Sequence, residues 1–188
     1  LGDMQAGRDF EVRNGKTYFY RSFDPIKEFT RKWTPQQNHN LSVTGGNRTT
    51  TYNISLSYLS QKGVMKFNTD KYDRYTLHSN ITTNVTKWWR VRSNILFTRS
   101  VNDQPYRFTS GQYDAWFYLL RWPRWYPYAD YEGKPFRSAV TDIKAGNRES
   151  LTSTYLRANL GTELNPLKNM TVNFDYTFGY VNDATKRN

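Results

Sequence analysis

The chain has 188 residues, a formal net charge of +11 and no cysteine, and 17% of its residues are Phe, Trp or Tyr. The lack of cysteine excludes a disulfide scaffold and a thiolate metal site. No run of about 18 apolar residues is present, which excludes a transmembrane helix. The sequence starts at Leu1 without a basic and apolar leader, so we expect a signal peptide to have been removed or to lie upstream. Lys and Arg are dispersed, so the charge by itself selects no partner.

Residues 1–37 show no sustained hydrophobic period, and we interpret them as an irregular lead-in to the rest of the chain. Asp24-Pro25 is followed by Ile26, Phe29 and Trp33. Asp is a favoured N-cap and Pro is favoured at the first helical position. The pattern therefore predicts one short helix here.

From residue 38 onward, to residue 188, apolar and polar residues alternate in six segments. These segments are 40–44, 51–58, 74–85, 89–98, 155–164 and 171–180. Alternation with period two predicts strands that have one apolar and one polar face. Several segments approach the roughly 10 residues of a transmembrane barrel strand, whereas soluble strands centre on about 5–6. The predicted fold class is all-β, an antiparallel up-and-down transmembrane β-barrel section of about six strands.

The connections between the predicted strands alternate in length. Gly45–Arg48, Thr86-Lys87 and Asn165–Asn169 are short, whereas Gly63–Asp73 and a loop of about 101–152 are long. Short periplasmic turns and long extracellular loops are typical of outer-membrane barrels. Aromatic residues near both ends fit the two membrane–water interfaces. They are Trp88 and Trp89 beside a short turn, and Tyr58, Tyr75 and Tyr180 at the long-loop ends.

Alternation assigns the strand residues to two faces. An open sheet edge is not viable in lipid, so we expect the remainder of the same barrel to come from residues outside this chain. The candidate lipid-facing residues are Ile54, Leu56, Leu77, Ile81, Ile95, Phe97, Phe174, Tyr176 and Phe178. The candidate lumen-facing residues are Arg74, His78, Arg90, Arg92 and Arg157. The arginines could attract anionic substrate; alternatively, they are solvated or paired with carboxylates.

Three blocks carry a family resemblance: Asn-His-Asn-Leu-Ser-Val-Thr-Gly-Gly-Asn at 38–47, Tyr-Asn-Ile-Ser-Leu-Ser-Tyr-Leu-Ser-Gln-Lys-Gly-Val at 52–64, and Arg-Tyr-Thr-Leu-His-Ser-Asn at 74–80. In order and spacing they resemble the SusC/RagA family of TonB-dependent outer-membrane transporters of Bacteroidota. Residues 120–134 follow the family more loosely.

The resemblance implies a barrel of about 22 strands with an N-terminal plug and a TonB-binding segment. It also implies a SusD-like lipoprotein that caps the barrel, and import of oligosaccharides or peptides. The chain looks like the early barrel strands of such a protein. We therefore expect TonB to bind through a region absent here. The matched blocks are architectural and identify no substrate-binding residue.

The long loop is the candidate ligand- or partner-contacting segment, because loops of this length are uncommon unless they are functional or disordered. Its stretch 113–128 is rich in aromatic residues, and 112–121 could form one short helix. The rings could face a ligand or a capping partner; alternatively, they pack the loop onto the barrel mouth. The candidate residues are Trp116, Arg121, Trp122, Arg124, Trp125, Tyr126 and Tyr128.

Enzyme chemistry finds little support in the sequence. His39 and His78 lie in different predicted strands, and neither belongs to a metal-ligand or nucleophile motif. We expect no catalytic site, no metal and no cofactor. The leading hypothesis is that the chain is part of a TonB-dependent nutrient importer in the bacterial outer membrane. On this hypothesis it contacts outer-membrane lipid and not nucleic acid. The alternative is a soluble basic β-protein that binds glycan or nucleic acid through exposed aromatics.

Overall fold

The computed structural model describes residues 10–19, 24–106, 121, 123–124, 130–131, 134–135, 143–144 and 146–188. Helix α1 spans Pro25–Phe29. The strands are β1 Phe10–Arg13, β2 Lys16–Phe19, β3 Gln36–Gly46, β4 Thr50–Lys62, β5 Lys71–Asn84, β6 Trp89–Pro105, β7 Asp130–Tyr131, β8 Lys134–Pro135, β9 Arg148–Leu167 and β10 Met170–Arg187. Among the described residues, no helix combines the length and the apolar character needed to cross a membrane.

Six strands form one antiparallel sheet in the order β10-β9-β6-β5-β4-β3. Each strand pairs with its neighbour in sequence, except that β6 pairs with β9 across the connection of residues 106–147. The predicted six-stranded up-and-down arrangement is therefore confirmed. Within the part of the chain that the structure describes, strands β3 and β10 each have a neighbour on one side only, so this sheet is open rather than closed into a barrel.

The strands are longer than the alternation predicts. β6 has 17 residues, β10 has 18 and β9 has 20. The predicted limits of the long loop, about 101 and 152, are therefore wrong at both ends, because residues 101–105 and 148–152 pair with each other as strand. Ladder hydrogen bonds continue after the apolar alternation has ended, since backbone pairing needs no apolar side chain.

The first predicted turn is displaced, because Gly45 and Gly46 remain within β3. The connection is residues 47–49, where the Asn47 Oδ1 atom accepts bonds from the backbone N–H groups of Thr49 (2.9 Å) and Thr50 (2.8 Å). Gly45 has a steric role: a Cβ atom there would lie 2.5 Å from the Tyr52 hydroxyl. The Tyr52 ring thus covers the glycine on the neighbouring strand.

The other two short turns also differ from their predicted limits. The β5–β6 connection is residues 85–88, one residue longer at each end than Thr86-Lys87. The β9–β10 turn is only Lys168-Asn169. Asn165 and Pro166 lie within β9, at a register shift next to Thr171 of β10. A bulge tolerates proline, because it interrupts the ladder where the missing N–H would be needed.

The lead-in segment contains a hairpin that the pattern of apolar residues did not predict. Strands β1 and β2 pair from Phe10↔Phe19 to Arg13↔Lys16. Their turn, Asn14-Gly15, has positive φ angles of 51° and 71°. Asn-Gly is the preferred sequence for such a two-residue turn, so this dipeptide was the available signal.

The described residues contain one small packed cluster, at the end of the sheet that carries the long connections. Phe29 of α1 is 1% exposed and Met65, in the β4–β5 loop, is 2% exposed. The helix starts as predicted, with the Asp24 carboxylate accepting a 3.0 Å bond from the Ile26 N–H and with Pro at its start. The Lys66 N–H donates to the Phe29 carbonyl at 2.9 Å, which fixes helix and loop together.

Candidate functional site

The strand registers gather the apolar residues of all six strands on one face of the sheet, called the apolar face below. Leu56 pairs with Leu41 and Leu77, and the same row continues through Phe97 and Leu156. Directly paired residues project to the same face. Ile54, Leu56, Leu77, Ile81, Ile95, Phe97, Phe174, Tyr176 and Phe178 all lie on this face.

Nothing among the described residues covers the apolar face. Leu56 is 51% exposed and Ile95 is 37% exposed, although both belong to strands paired on each side. The buried hydrophobic residues of the described part of the chain are Phe29 and Met65, and neither lies in the six-stranded sheet. Such a large exposed apolar surface indicates contact with lipid or with another protein.

Aromatic side chains border the apolar face at both ends. Near the short turns, the rings of Trp88 and Trp89 stack at 6.4 Å, and Trp89 Nε1–H donates to Thr162 at 2.8 Å. Near the long connections, the Tyr58 and Tyr75 rings stack at 4.9 Å. Arg99, which pairs with Tyr75, lies ten positions after Trp89 in β6. At about 3.4 Å per residue and a tilt of about 35–45°, the height is about 25 Å, the thickness of a barrel's apolar band.

The opposite face, called the polar face below, carries a row of amides and hydroxyls at mid-height. The row is Thr44, Asn53, Asn80, Asn94, Asn159 and Thr177. Asn53 Nδ2 donates to Thr44 at 2.7 Å, Asn94 donates to Asn80, and Asn159 Nδ2 donates to Thr177 at 2.8 Å. Sequence alone predicts polar residues here but not that they form one row, because the row depends on the registers of five strand pairs.

The five candidate lumen-facing residues, Arg74, His78, Arg90, Arg92 and Arg157, all lie on the polar face. Arg90 lies 3.5 Å from the Glu163 carboxylate. The Asp175 carboxylate of β10 reaches over Gly161 toward Arg92, since a Cβ atom on Gly161 would lie 2.4 Å from Asp175 Oδ1 and 3.4 Å from Arg92 Nε. Acidic side chains thus stand beside two of the four arginines.

His78 is held by amides of the mid-height row. Its Nε2 atom lies 3.3 Å from Asn80 Nδ2 and 3.4 Å from Asn94 Nδ2. Amide nitrogens are donors, so these contacts use Nε2 as an acceptor. Within the described ranges, no group of three or more His, Asp and Glu side chains is placed to hold a metal ion.

Arg148, which sequence reasoning did not select, joins three segments at the end of the long connections. Its guanidinium binds the Asp103 carboxylate at 3.0 Å, the Thr69 carbonyl at 3.0 Å and the Asn68 side chain. Asn68 Nδ2 in turn donates to the Ile143 carbonyl at 2.8 Å. The residues are far apart in sequence, so no local pattern could have identified the cluster. It fixes the base of the long connection against the β4–β5 loop.

The aromatic candidates of the long connection, Trp116, Trp122, Trp125, Tyr126 and Tyr128, lie outside the described residues, as does most of the helix expected at 112–121. Arg121 and Arg124 are described, and both are exposed. Their contact with a ligand or partner stays a prediction.

No protein-family model and no curated protein matches this chain. Solved structures do match it. A structure of the RagAB peptide importer in the "closed-closed" state aligns with 90% of this chain at 20% identity and a TM-score of 0.70. One of the RagAB peptide transporter aligns with 89% at 19% identity and a TM-score of 0.68. The "open-open" state aligns with 93% at 21% identity and a TM-score of 0.69.

The chain spans about a fifth of the length of these matched chains, 20–21%. The printed names of these neighbours describe a peptide importer or transporter. The likeness to SusC/RagA barrels that the sequence predicted is confirmed for the fold. The six-stranded sheet is a partial β-barrel section of the kind found in the RagAB importer structures.

Proposed function

We propose that this chain forms part of the barrel of a bacterial outer-membrane nutrient importer, with its apolar face toward lipid and its polar face toward the lumen. The observation that carries the proposal is the segregation of the sheet into an apolar and a polar face. The two aromatic borders of the apolar face lie about 25 Å apart. The fold of the RagAB peptide importer supports the same function. Of the two substrate classes expected from sequence, oligosaccharides and peptides, we favour peptides for this reason.

The end with the long connections is the proposed extracellular end. There, a SusD-like lipoprotein would cap the barrel, and Arg121, Arg124 and the aromatic candidates of the long connection would contact it or the substrate. The Arg148 cluster supports this role, because it gives the long connection a fixed base. Energy would come from TonB through a part of the protein outside this chain.

The soluble alternative is disfavoured by the exposed apolar residues of interior strands. A soluble sheet would bury Leu56 and Ile95 against a second layer, and the described part of the chain provides none. A soluble protein that binds glycan or nucleic acid would also not require aromatic rings in two bands at opposite ends of one face.

Uptake by cells tests the proposal. The gene for the full-length protein is deleted and then restored, and uptake of labelled peptides and of labelled oligosaccharides is measured in parallel. We expect peptide uptake to fall on deletion and to recover on restoration, with oligosaccharide uptake unchanged. Selective loss of oligosaccharide uptake would contradict the peptide assignment. Unchanged uptake of both, or release of the protein from membranes by carbonate, would contradict the importer function.

A further inference from the structure

Basic side chains lie on the apolar face just beyond the Tyr58–Tyr75 ring pair, at the end with the long connections. We define the basic cluster as Lys62, Lys71 and Arg99. All three share the apolar face, because Lys62 pairs with Lys71, and Arg99 pairs with Tyr75. On the proposed orientation, this position is the level of the lipid headgroups in the outer leaflet.

The charges of the cluster are only partly compensated within the described residues. Lys62 and Lys71 stand directly opposite each other on adjacent strands, an arrangement that is unfavourable for like charges. Asp73 lies 2.6 Å from Lys71 and accepts a 3.1 Å bond from the Tyr58 hydroxyl. Among the described residues, no carboxylate forms an ion pair with Lys62 or Arg99, and both are exposed.

Two further carboxylates, those of Asp103 and Asp70, and one imidazole lie near the cluster. Asp103 pairs with Lys71 across the strands, but its carboxylate binds Arg148 at 3.0 Å. The His39 ring stacks on the Tyr58 ring at 6.3 Å. The Asp70 carboxylate also lies close, over Gly63, the residue after Lys62. With Asp73 and Asp70 both counted, the cluster keeps an excess of about one positive charge beside a platform of three rings, and Lys62 and Arg99 form no ion pair among the described residues.

We propose that the basic cluster binds the phosphorylated headgroup of an outer-leaflet glycolipid. By standard strand spacings, Arg99 and Lys71 lie about 14 Å apart at their Cα atoms. This separation suits a headgroup that carries more than one phosphate better than it suits a single small anion. Basic clusters at a membrane surface attract anionic headgroups, and aromatic rings are favoured at the same depth. The inference rests on the proposed membrane orientation and adds a lipid ligand to the outer surface of the barrel.

The test uses the full-length protein in nanodiscs of zwitterionic lipid, with bisphosphorylated lipid A as the probe and its dephosphorylated form as the reference. Bound glycolipid is measured by mass spectrometry. Wild-type protein is expected to retain the phosphorylated form selectively. The double variant Lys62→Gln/Arg99→Gln is expected to bind the phosphorylated form about 25-fold more weakly, because each lost positive charge is expected to weaken binding about fivefold. Arg99→Lys keeps the charge and retains binding.

Arg74→Gln is the matched control, because Arg74 lies on the opposite face and pairs with Ser100, next to Arg99. It is expected to leave lipid binding unchanged. Equal binding by wild type and the double variant, or equal binding of both glycolipid forms, would overturn the proposal. Displacement of the lipid by millimolar inorganic phosphate would instead indicate a free-anion site and would also overturn it. Only protein that shows heat-modifiable migration, the sign of a folded barrel, is assayed. A failure of barrel assembly is therefore distinguished from a loss of lipid binding.

Discussion

The apolar and polar faces are built by the same six strands, yet different forces organise them. On the apolar face, rows such as Leu56–Leu77–Phe97 make no specific polar contacts and leave large side chains exposed. On the polar face, cross-strand hydrogen bonds such as Asn53–Thr44 join neighbouring side chains. The apolar face thus depends on its surroundings for stability, whereas the polar face satisfies much of its own hydrogen bonding. The predictions below test this difference.

The largest expected effect comes from a charge at mid-height of the apolar face. Ile95→Arg is expected to destabilise the assembled barrel by about 2–4 kcal/mol, because on the proposed orientation the guanidinium would lie at the bilayer midplane and would have to lose hydration or distort the lipid. The measurement is denaturant unfolding of the full-length protein in lipid. The folded fraction is read from the heat-modifiable migration of the protein in gel electrophoresis. Leu96→Arg is the matched control: it is the next residue on the same strand, on the polar face.

Leu96→Arg is expected to cost less than about 1 kcal/mol, chiefly through like-charge repulsion with its cross-strand partner Arg157. Equal costs for the two substitutions would mean that both faces meet the same medium. The proposed orientation would then be wrong.

The glycines provide a second comparison, with an intermediate effect. Gly45→Ala places a Cβ atom 2.5 Å from the Tyr52 hydroxyl and 2.7 Å from the ring on the apolar face, so the ring must move. We expect a cost of about 1–3 kcal/mol, as for other overpacked sites.

Gly179 lies on the polar face with nothing within 4 Å of an added Cβ atom. Gly179→Ala is therefore expected to be neutral or slightly stabilising, by up to about 1 kcal/mol. The same unfolding measurement separates the two, and the reverse order would contradict the described packing.

The amide row of the polar face is expected to contribute modestly. Asn94→Ala removes the bond to Asn80 and the contact with His78, at a cost of about 0.5–1.5 kcal/mol. Ser93→Ala, the next residue on the same strand and on the apolar face, serves as control. A larger loss for Ser93→Ala than for Asn94→Ala would show that the row does not stabilise the sheet.

The smallest expected effect is a pH dependence at the end with the long connections, beyond the part of the sheet that we propose to span the membrane. Burial raises the pKa of Asp73, but hydrogen bonds from Lys71, Ser60 and Tyr58 outweigh it, and the pKa is lowered overall. A carboxylate with a lowered folded-state pKa contributes stability above its unfolded pKa, about 3.9. That contribution is lost as pH falls through the folded value. The protection factors of the β4–β5 loop amides against hydrogen exchange should therefore fall below about pH 4, and Asp73→Asn should remove this acid step. An unchanged acid step in the variant would assign it to another group.

Sequence predicted the faces well and the ends poorly, for a physical reason. A period of two assigns Ile54 or Phe178 to a face without knowledge of any partner. The ends of β6 and β9 depend on backbone pairing between polar residues, which leaves no hydrophobic period. Gly45 suggests a turn when read locally, and only the position of Tyr52 reveals its steric role. The Arg148 cluster joins residues about 80 positions apart, so sequence periodicity contains no trace of it.

The most direct test of the account uses single cysteines along β10, from Val172 to Tyr180, since this chain has none of its own. Each is introduced into a cysteine-free form of the full-length protein, spin-labelled in lipid vesicles, and probed with oxygen and with a water-soluble nickel complex. We predict accessibility with period two: even positions exposed to oxygen from the lipid and odd positions exposed to the nickel complex. The absence of this period, or its reversal, would contradict the assignment of the apolar face to lipid.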